Sequence, residues 1–183
     1  AFRSGATLQE VTEKCRAGMQ PSETIEAIPC RRGAEAFELL RGASREYGEK
    51  HGTPPRIFQS NWGPSRGYRM RADWTSAFFQ VGGFEVINDT DFTDIDEMKA
   101  ALTESGAKIS VITSSDDAYA EHAESLAKAI KSVDPGNYII LAGAPGDNED
   151  ALKAAGVDDF VHMRVNNYQM LAMLLKKLGV LAE

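Results

Sequence analysis

Between Gly52 and Ala72 the sequence has no aspartate, glutamate or histidine. The same stretch holds four arginines, Arg56, Arg66, Arg69 and Arg71. It is an unusual gap in a chain of 183 residues with a formal charge of −7. A turn in this stretch has no proton carrier and no good metal ligand. Other absences narrow the field further. The three histidines, His51, His122 and His162, are scattered, and no Cys–His cluster exists, which argues against a metal site. Two cysteines, Cys15 and Cys30, are too few for a disulfide framework and read as reduced thiols in a cytoplasmic protein. No apolar run approaches the ~20 residues that span a membrane. The acidic balance disfavours nucleic acid and anionic membranes as partners. Arg66, Arg69 and Arg71 then read as a solvated helix face or a contact for an acidic partner. The sequence contains no signal-peptide pattern, and its opening at Ala1 without Met suggests a fragment or a processed chain.

What is present reads as two parts. Residues 1–54 form a helical linker. Thr7 and Glu10 have capping-box spacing ahead of a short helix with Leu8, Val11 and Cys15 on one stripe. Met19–Gly33 reads as an extended segment with Pro21, Pro29 and the pair Ile25/Ile28. A second helix follows over Ala34–Tyr47, with Ala36, Phe37, Leu39, Leu40 and Ala43 on its apolar face. Gly48–Pro55 breaks it and marks the boundary of a domain over 55–183. About 130 residues suffice to bury roughly two-thirds of the surface and fold alone.

From Pro55 strands and helices alternate. The expected strands are Arg56–Ser60, Phe84–Ile87, Lys108–Thr113, Asn137–Ala142 and Asp158–His162. The intervening helices have clear stripes: Met70, Trp74, Phe78 and Val81; Ile95, Met98, Ala101 and Leu102; Ala123, Leu126, Ala127 and Ile130. A short helix runs from Asp147 to Ala155. After Asn166 a last helix buries Met170, Leu171, Leu174, Leu175 and Leu178. Five strand–helix units predict an α/β fold, a doubly wound five-stranded parallel sheet of flavodoxin-like order 2-1-3-4-5. Ligands on such sheets bind at the carboxyl ends of the strands. The loops that matter are therefore Asn61–Gly67, Ser114–Asp117 and Gly143–Asp147.

Those loops exclude several chemistries. A phosphoryl-accepting receiver needs an acidic pair after the first strand, and Asn61 and Trp62 stand there instead. Asp116 and Asp117 read as charges at a helix N-terminus, and His162-Met-Arg-Val supplies no lysine after the fifth strand. Gly63, Gly67, Gly143 and Gly146 do not form a dinucleotide fingerprint. Ser114 and Ser115 sit at a strand-to-helix turn without the Gly-x-Ser-x-Gly of a nucleophile elbow, so capping explains them better. The residues alone predict no catalytic and no metal-binding group.

The runs RIFQSNWGP, ADWTSAFFQVGGFEV, KISVITSSD, ILAGAP and DALKAAGVDDF together resemble the carboxy-terminal domain of acyl-CoA mutases of the methylmalonyl-CoA type. The upstream GATLQEV and IPCRRGAEAFELLR resemble the segment that joins this domain to the family's (β/α)₈ barrel. In cobalamin-binding members the first strand runs into Asp-x-His-x-x-Gly, whose His ligates cobalt and whose Asp orients it. Here no register through Gly67 supplies that pair. The resemblance leaves Asn61, Gly63, Ser114, Ser115 and Gly143 as candidates for a vestigial pocket that binds no cofactor. Retained fold with lost ligand resembles the small subunit of heterodimeric mutases. The resemblance implies a non-catalytic, structural role beside a large subunit that carries adenosylcobalamin. The alternatives are a cobalamin-binding domain with an atypical ligand and a small-molecule sensor on the same fold. Trp62 reads either as a filler of the old cavity or as a half-exposed loop residue.

Overall fold

The computed structural model describes residues 4–18, 26–28, 30–88 and 90–182. Pro21, Ile25 and Pro29, with most of the expected extended segment, lie outside the described residues. The chain divides into two compact units, Ala1–Arg32 and Gly33–Glu183. In the first, helix α1 (Leu8–Arg16) opens with the reciprocal Thr7–Glu10 capping box. The Glu10 backbone N–H donates to the Thr7 hydroxyl at 3.2 Å, and the Thr7 N–H donates to the Glu10 carboxylate at 2.8 Å. No α1 side chain is buried. Cys15 and Cys30 are both free and exposed.

The second unit contains a parallel sheet with helices on both faces. Its elements are α2 (Glu35–His51), β1 (Arg56–Trp62), α3 (Ser65–Gln80), β2 (Glu85–Ile87), β3 (Asp91–Phe92), α4 (Ile95–Ser105), β4 (Ile109–Thr113), α5 (Asp116–Val133), β5 (Tyr138–Ala142), α6 (Glu149–Ala155), β6 (Asp159–Val161) and α7 (Asn167–Lys177). The order is β2-β1-β4-β5-β6, with β3 also paired to β1. The expected order therefore holds, with one refinement. The edge strand is split, so that β2 covers Arg56–Phe58 and β3 covers Asn61–Trp62 of β1.

The interior has two apolar clusters, one on each face of the sheet. Phe58, Met98, Leu102, Ile112, Leu126 and Ile130 pack beneath α4, α5 and α6. Ile57, Phe79, Val111, Ile140, Leu171 and Leu174 pack beneath α3 and α7. Short polar side chains cap the helices: Asp94 accepts from Asp96 and Glu97, Ser115 from Ala118 and Asn166 from Gln169. Helix α2 packs within this unit. Leu40 joins the second cluster, and the Ser44 hydroxyl donates to the Gly82 carbonyl at 2.7 Å. Gly83 permits that approach, since its φ is +83° and a Cβ there would stand 2.7 Å from that of Ser44. Among the described residues no helix is long and apolar enough to cross a membrane.

Two expectations about apolar faces are wrong: Leu39 of α2 is 68 % exposed rather than inward, and the α3 stripe is misplaced. Met70, Trp74 and Val81 do not face the core; they are 88 %, 36 % and 40 % exposed, and only Phe78 of that set is buried. The inward face of α3 is Tyr68, Ala72, Thr75, Ser76, Phe78 and Phe79. The reason lies in β1, which presents Gln59 and Asn61 to this helix. Polar side chains there need hydrogen-bonding neighbours, which methionine and tryptophan carbons cannot supply.

Candidate functional site

Strand β1 is longer than its apolar residues suggest. Asn61 and Trp62 are strand residues, paired with Thr113 of β4 and with Asp91 and Phe92 of β3. Only Gly63 and Pro64 separate the strand from α3. Gly63 has a φ of +86°, a left-handed conformation that favours glycine, and its N–H donates to Phe92 at 2.8 Å. The expected seven-residue loop is thus mostly strand end and helix start.

Alternation along β1 sends odd residues to the α3 face and even residues to the α5 face. On the α3 face Gln59 and Asn61 are buried. The Asn61 Oδ1 accepts from the Thr113 hydroxyl at 2.6 Å and from the Gln59 amide at 3.0 Å. Its Nδ2 donates to the Asn88 carbonyl at 3.1 Å. The Ser76 hydroxyl donates to Gln59 Oε1 at 2.9 Å and accepts from the Asn88 amide at 3.0 Å. Gln59, Ser76, Asn88 and Asn61 therefore close a ring of hydrogen bonds under α3. A buried network with its members paired in this way is rigid and has its donors and acceptors engaged by one another.

On the other face Trp62 is buried, its ring 5.6 Å from that of His122 on α5. Trp62 is accordingly packed into the fold and not turned to solvent. The Ser114 hydroxyl donates to the Trp62 carbonyl at 2.8 Å, so it is turned inward and tied to β1. Ser115 serves as the α5 cap.

The gap between the β4 and β5 ends holds Tyr119. Its hydroxyl accepts from the Ser114 N–H at 3.1 Å and lies 3.0 Å from the Ile112 carbonyl and 2.8 Å from that of Ala142. Burial pushes the phenol up to about 12, the Arg71 charge opposing it only partly. The Arg71 guanidinium sits 5.0 Å from the Tyr119 ring centre, donates to the Ser114 carbonyl, and pairs with Asp116 at 2.6 Å. Burial works against the Arg71 charge, but Asp116 and Tyr119 outweigh it and hold its pKa above the ordinary value. Beyond Tyr119, a cavity of about 200 Å³ remains, lined by Leu141, Ala144, Asp147 and Leu152 among others. Ligand pockets usually run from about 300 Å³ upward. Gly143 lies beside this gap, its N–H donating to Val161 at 2.9 Å.

Asn61, Gly63, Ser114, Ser115 and Gly143 are thus brought to one end of the sheet, but Asn61 and Ser114 are engaged by other protein groups. Tyr119, Thr113, Gln59, Ser76 and Asn88 complete the arrangement and were not singled out from the sequence, while Arg71, read there as part of a solvated helix face or a contact for an acidic partner, is engaged inside the chain with Asp116 and Ser114. The signal for the missed residues was the run Gln59-Ser60-Asn61 inside a central strand, where each buried polar group demands a partner.

A corrin held through cobalt fits this end poorly. The side chains at the β1 end are an engaged amide and a packed indole, neither of which suits cobalt as imidazole does. His122 is on α5, packed against Trp62 and 3.5 Å from Glu121. Among the described residues no group of three or more His, Cys, Asp and Glu side chains could hold a metal ion.

Two curated relatives match most of the chain. One is the methylmalonyl-CoA mutase small subunit of Streptomyces virginiae, 31 % identical over 160 residues, which is 87 % of this chain and 25 % of the relative. The other is the methylmalonyl-CoA mutase small subunit of Porphyromonas gingivalis, 32 % identical over 158 residues, 86 % of this chain and 24 % of the relative. The chain spans about a quarter of the length of these relatives. No family model matches. Among solved structures, a cobalamin-binding protein from Desulfitobacterium hafniense aligns with a TM-score of 0.54 at 15 % identity, covering 92 % of this chain and 77 % of that one. A CheY-like protein from Pseudomonas aeruginosa aligns with a TM-score of 0.52 at 16 % identity, over 72 % of this chain and 98 % of that one. At such identities these two likenesses speak for the fold alone.

Proposed function

The chain is related by sequence to methylmalonyl-CoA mutase small subunits, and from that premise we propose that it is a non-catalytic assembly domain of such a subunit. It corresponds to the carboxy-terminal, cobalamin-binding-like domain. It supports a large subunit that binds adenosylcobalamin and interconverts methylmalonyl-CoA and succinyl-CoA in the cytoplasm. The chain itself binds no cofactor. The observation that carries this reading is the sealed β1 end. Asn61 is bonded to Thr113, Gln59 and Asn88, and Ser114 is bonded to Trp62. Tyr119 stands in the gap beside them. A site that spends its polar groups on one another has a scaffold role and little capacity for chemistry.

The test is reconstitution. The chain and a mutase large subunit are co-expressed, purified through a tag on one of them, and assayed with adenosylcobalamin. The expected result is a co-purifying complex, and no turnover of methylmalonyl-CoA by the chain alone. Turnover by the chain alone overturns the proposal.

A further inference from the structure

Helix α3 is inverted. Its inward face carries Thr75, Ser76 and the Tyr68 hydroxyl, while Met70, Trp74, Ala77 and Val81 line its outer face. The spacing of four, three and four keeps these apolar residues on one stripe. The stripe is about 16 Å long at 1.5 Å per residue. Trp74 and Phe78 rings lie 5.6 Å apart, so the exposed indole rests on a buried phenylalanine and is held in place. A rigid aromatic on an exposed apolar stripe is the feature that marks an interaction site.

Charge selects the kind of partner. Arg66 and Arg69 flank the stripe on exposed turns of α3 and, among the described residues, neither side chain takes part in a hydrogen bond or an ion pair. Arg71, by contrast, is engaged with Asp116 and Ser114. Two free cations against the single exposed carboxylate of α3, Asp73, leave the rim of the ridge net positive on a chain of net charge −7, which fits a surface that offers apolar contact edged by carboxylates.

We propose that the outer face of α3, centred on Met70 and Trp74 and edged by Arg66 and Arg69, is the surface by which this domain docks on the mutase large subunit. This rests on the assembly role proposed above. The apolar stripe supplies the buried contact and the arginines set register against acidic groups on the large subunit.

The test measures binding of the full chain to purified large subunit by titration calorimetry, with circular dichroism to check folding. Met70→Glu/Trp74→Glu changes only exposed side chains and should leave the fold intact. It should weaken binding on the order of a hundredfold, as loss of an interface centre does. Arg66→Glu/Arg69→Glu should weaken it less and lower its salt dependence. The control is Leu39→Glu, an exposed apolar residue on α2, which should bind as the unaltered chain does. If the Met70/Trp74 variant folds and binds with unaltered affinity, the docking surface is wrong while the assembly role stands. If the unaltered chain does not bind the large subunit, both fall. If sedimentation shows the unaltered chain self-associating through Met70 and Trp74, the occupant is a second copy and the proposal is overturned.

Discussion

Helices α3 and α5 follow neighbouring strands and pack on opposite faces of one sheet, yet they are oriented by opposite rules. Each has an apolar stripe at helical spacing. In α5 the stripe Ala123, Leu126, Ala127 and Ile130 is buried, as its periodicity predicts. In α3 the stripe Met70, Trp74 and Val81 is exposed, and a more polar face is buried instead. The difference comes from the strands beneath. The α5 face offers Phe58, Ile112, Ile139 and Leu141. The α3 face offers Ile57 and Val111 lower down, but Gln59, Asn61 and Thr113 at the carboxyl end. Periodicity says that a helix is amphipathic. Which face turns inward depends on what the sheet presents.

The largest effect that separates the two helices is a core deletion in α5. Leu126→Ala should cost about 2–5 kcal/mol of unfolding free energy by urea denaturation, because Leu126 is 1 % exposed within a packed cluster. If it costs no more than a surface change, the assignment of the α5 face is wrong. Next is the polar ring under α3. Asn61→Leu keeps volume but takes the Asn61 donor from the Asn88 carbonyl and leaves the Thr113 hydroxyl and the Gln59 amide only the Ser60 and Ala72 carbonyls, and should cost about 1–3 kcal/mol. A neutral or stabilising result would show that the ring is not closed.

Tyr119→Phe should cost about 1–2 kcal/mol at neutral pH, since it removes the group on which the Ser114 N–H and the Ala142 carbonyl converge. It also has a pH signature. An unfolded tyrosine ionises near 10, while in the fold Tyr119 holds its proton to about 12. Above pH ~10 the unfolded chain therefore binds fewer protons, and stability falls as pH rises from about 10 to about 12. Tyr138 shares that direction, being also pushed up to about 12 by burial with Asp159 and Asp158 nearby. The variant should flatten the fall without abolishing it. The smallest effect belongs to the α3 stripe: Met70→Ser should change stability by no more than about 0.5 kcal/mol, measured on the chain without its partner.

Much of this architecture was legible in the sequence. Short runs such as Ile109–Thr113 and Tyr138–Ala142, separated by amphipathic helices with Asp94, Ser115 and Asn166 as caps, lead directly to the parallel sheet and its order. The strand end was less legible. Asn61 and Trp62 look like turn residues until the pairing partners Thr113 and Phe92 are known. The split of the edge strand into β2 and β3 leaves no local signal, because it follows from how the segment after Ile87 rejoins β1. Tyr119 reads from sequence as an ordinary helix residue, and only the meeting of β4, β5 and α5 puts its hydroxyl in the gap. Arg71 likewise acquires a role only when α3 comes beside Asp116.

The sealed end of β1 is tested most directly by titrating the chain with hydroxocobalamin and following the visible spectrum. With Asn61 engaged, Trp62 packed and Tyr119 in the gap, the spectrum should remain that of free cobalamin up to concentrations on the order of a millimolar. Saturable conversion to a base-off spectrum with a histidine on cobalt would contradict it, because it would require the end of β1 to open and a ligand to reach the metal.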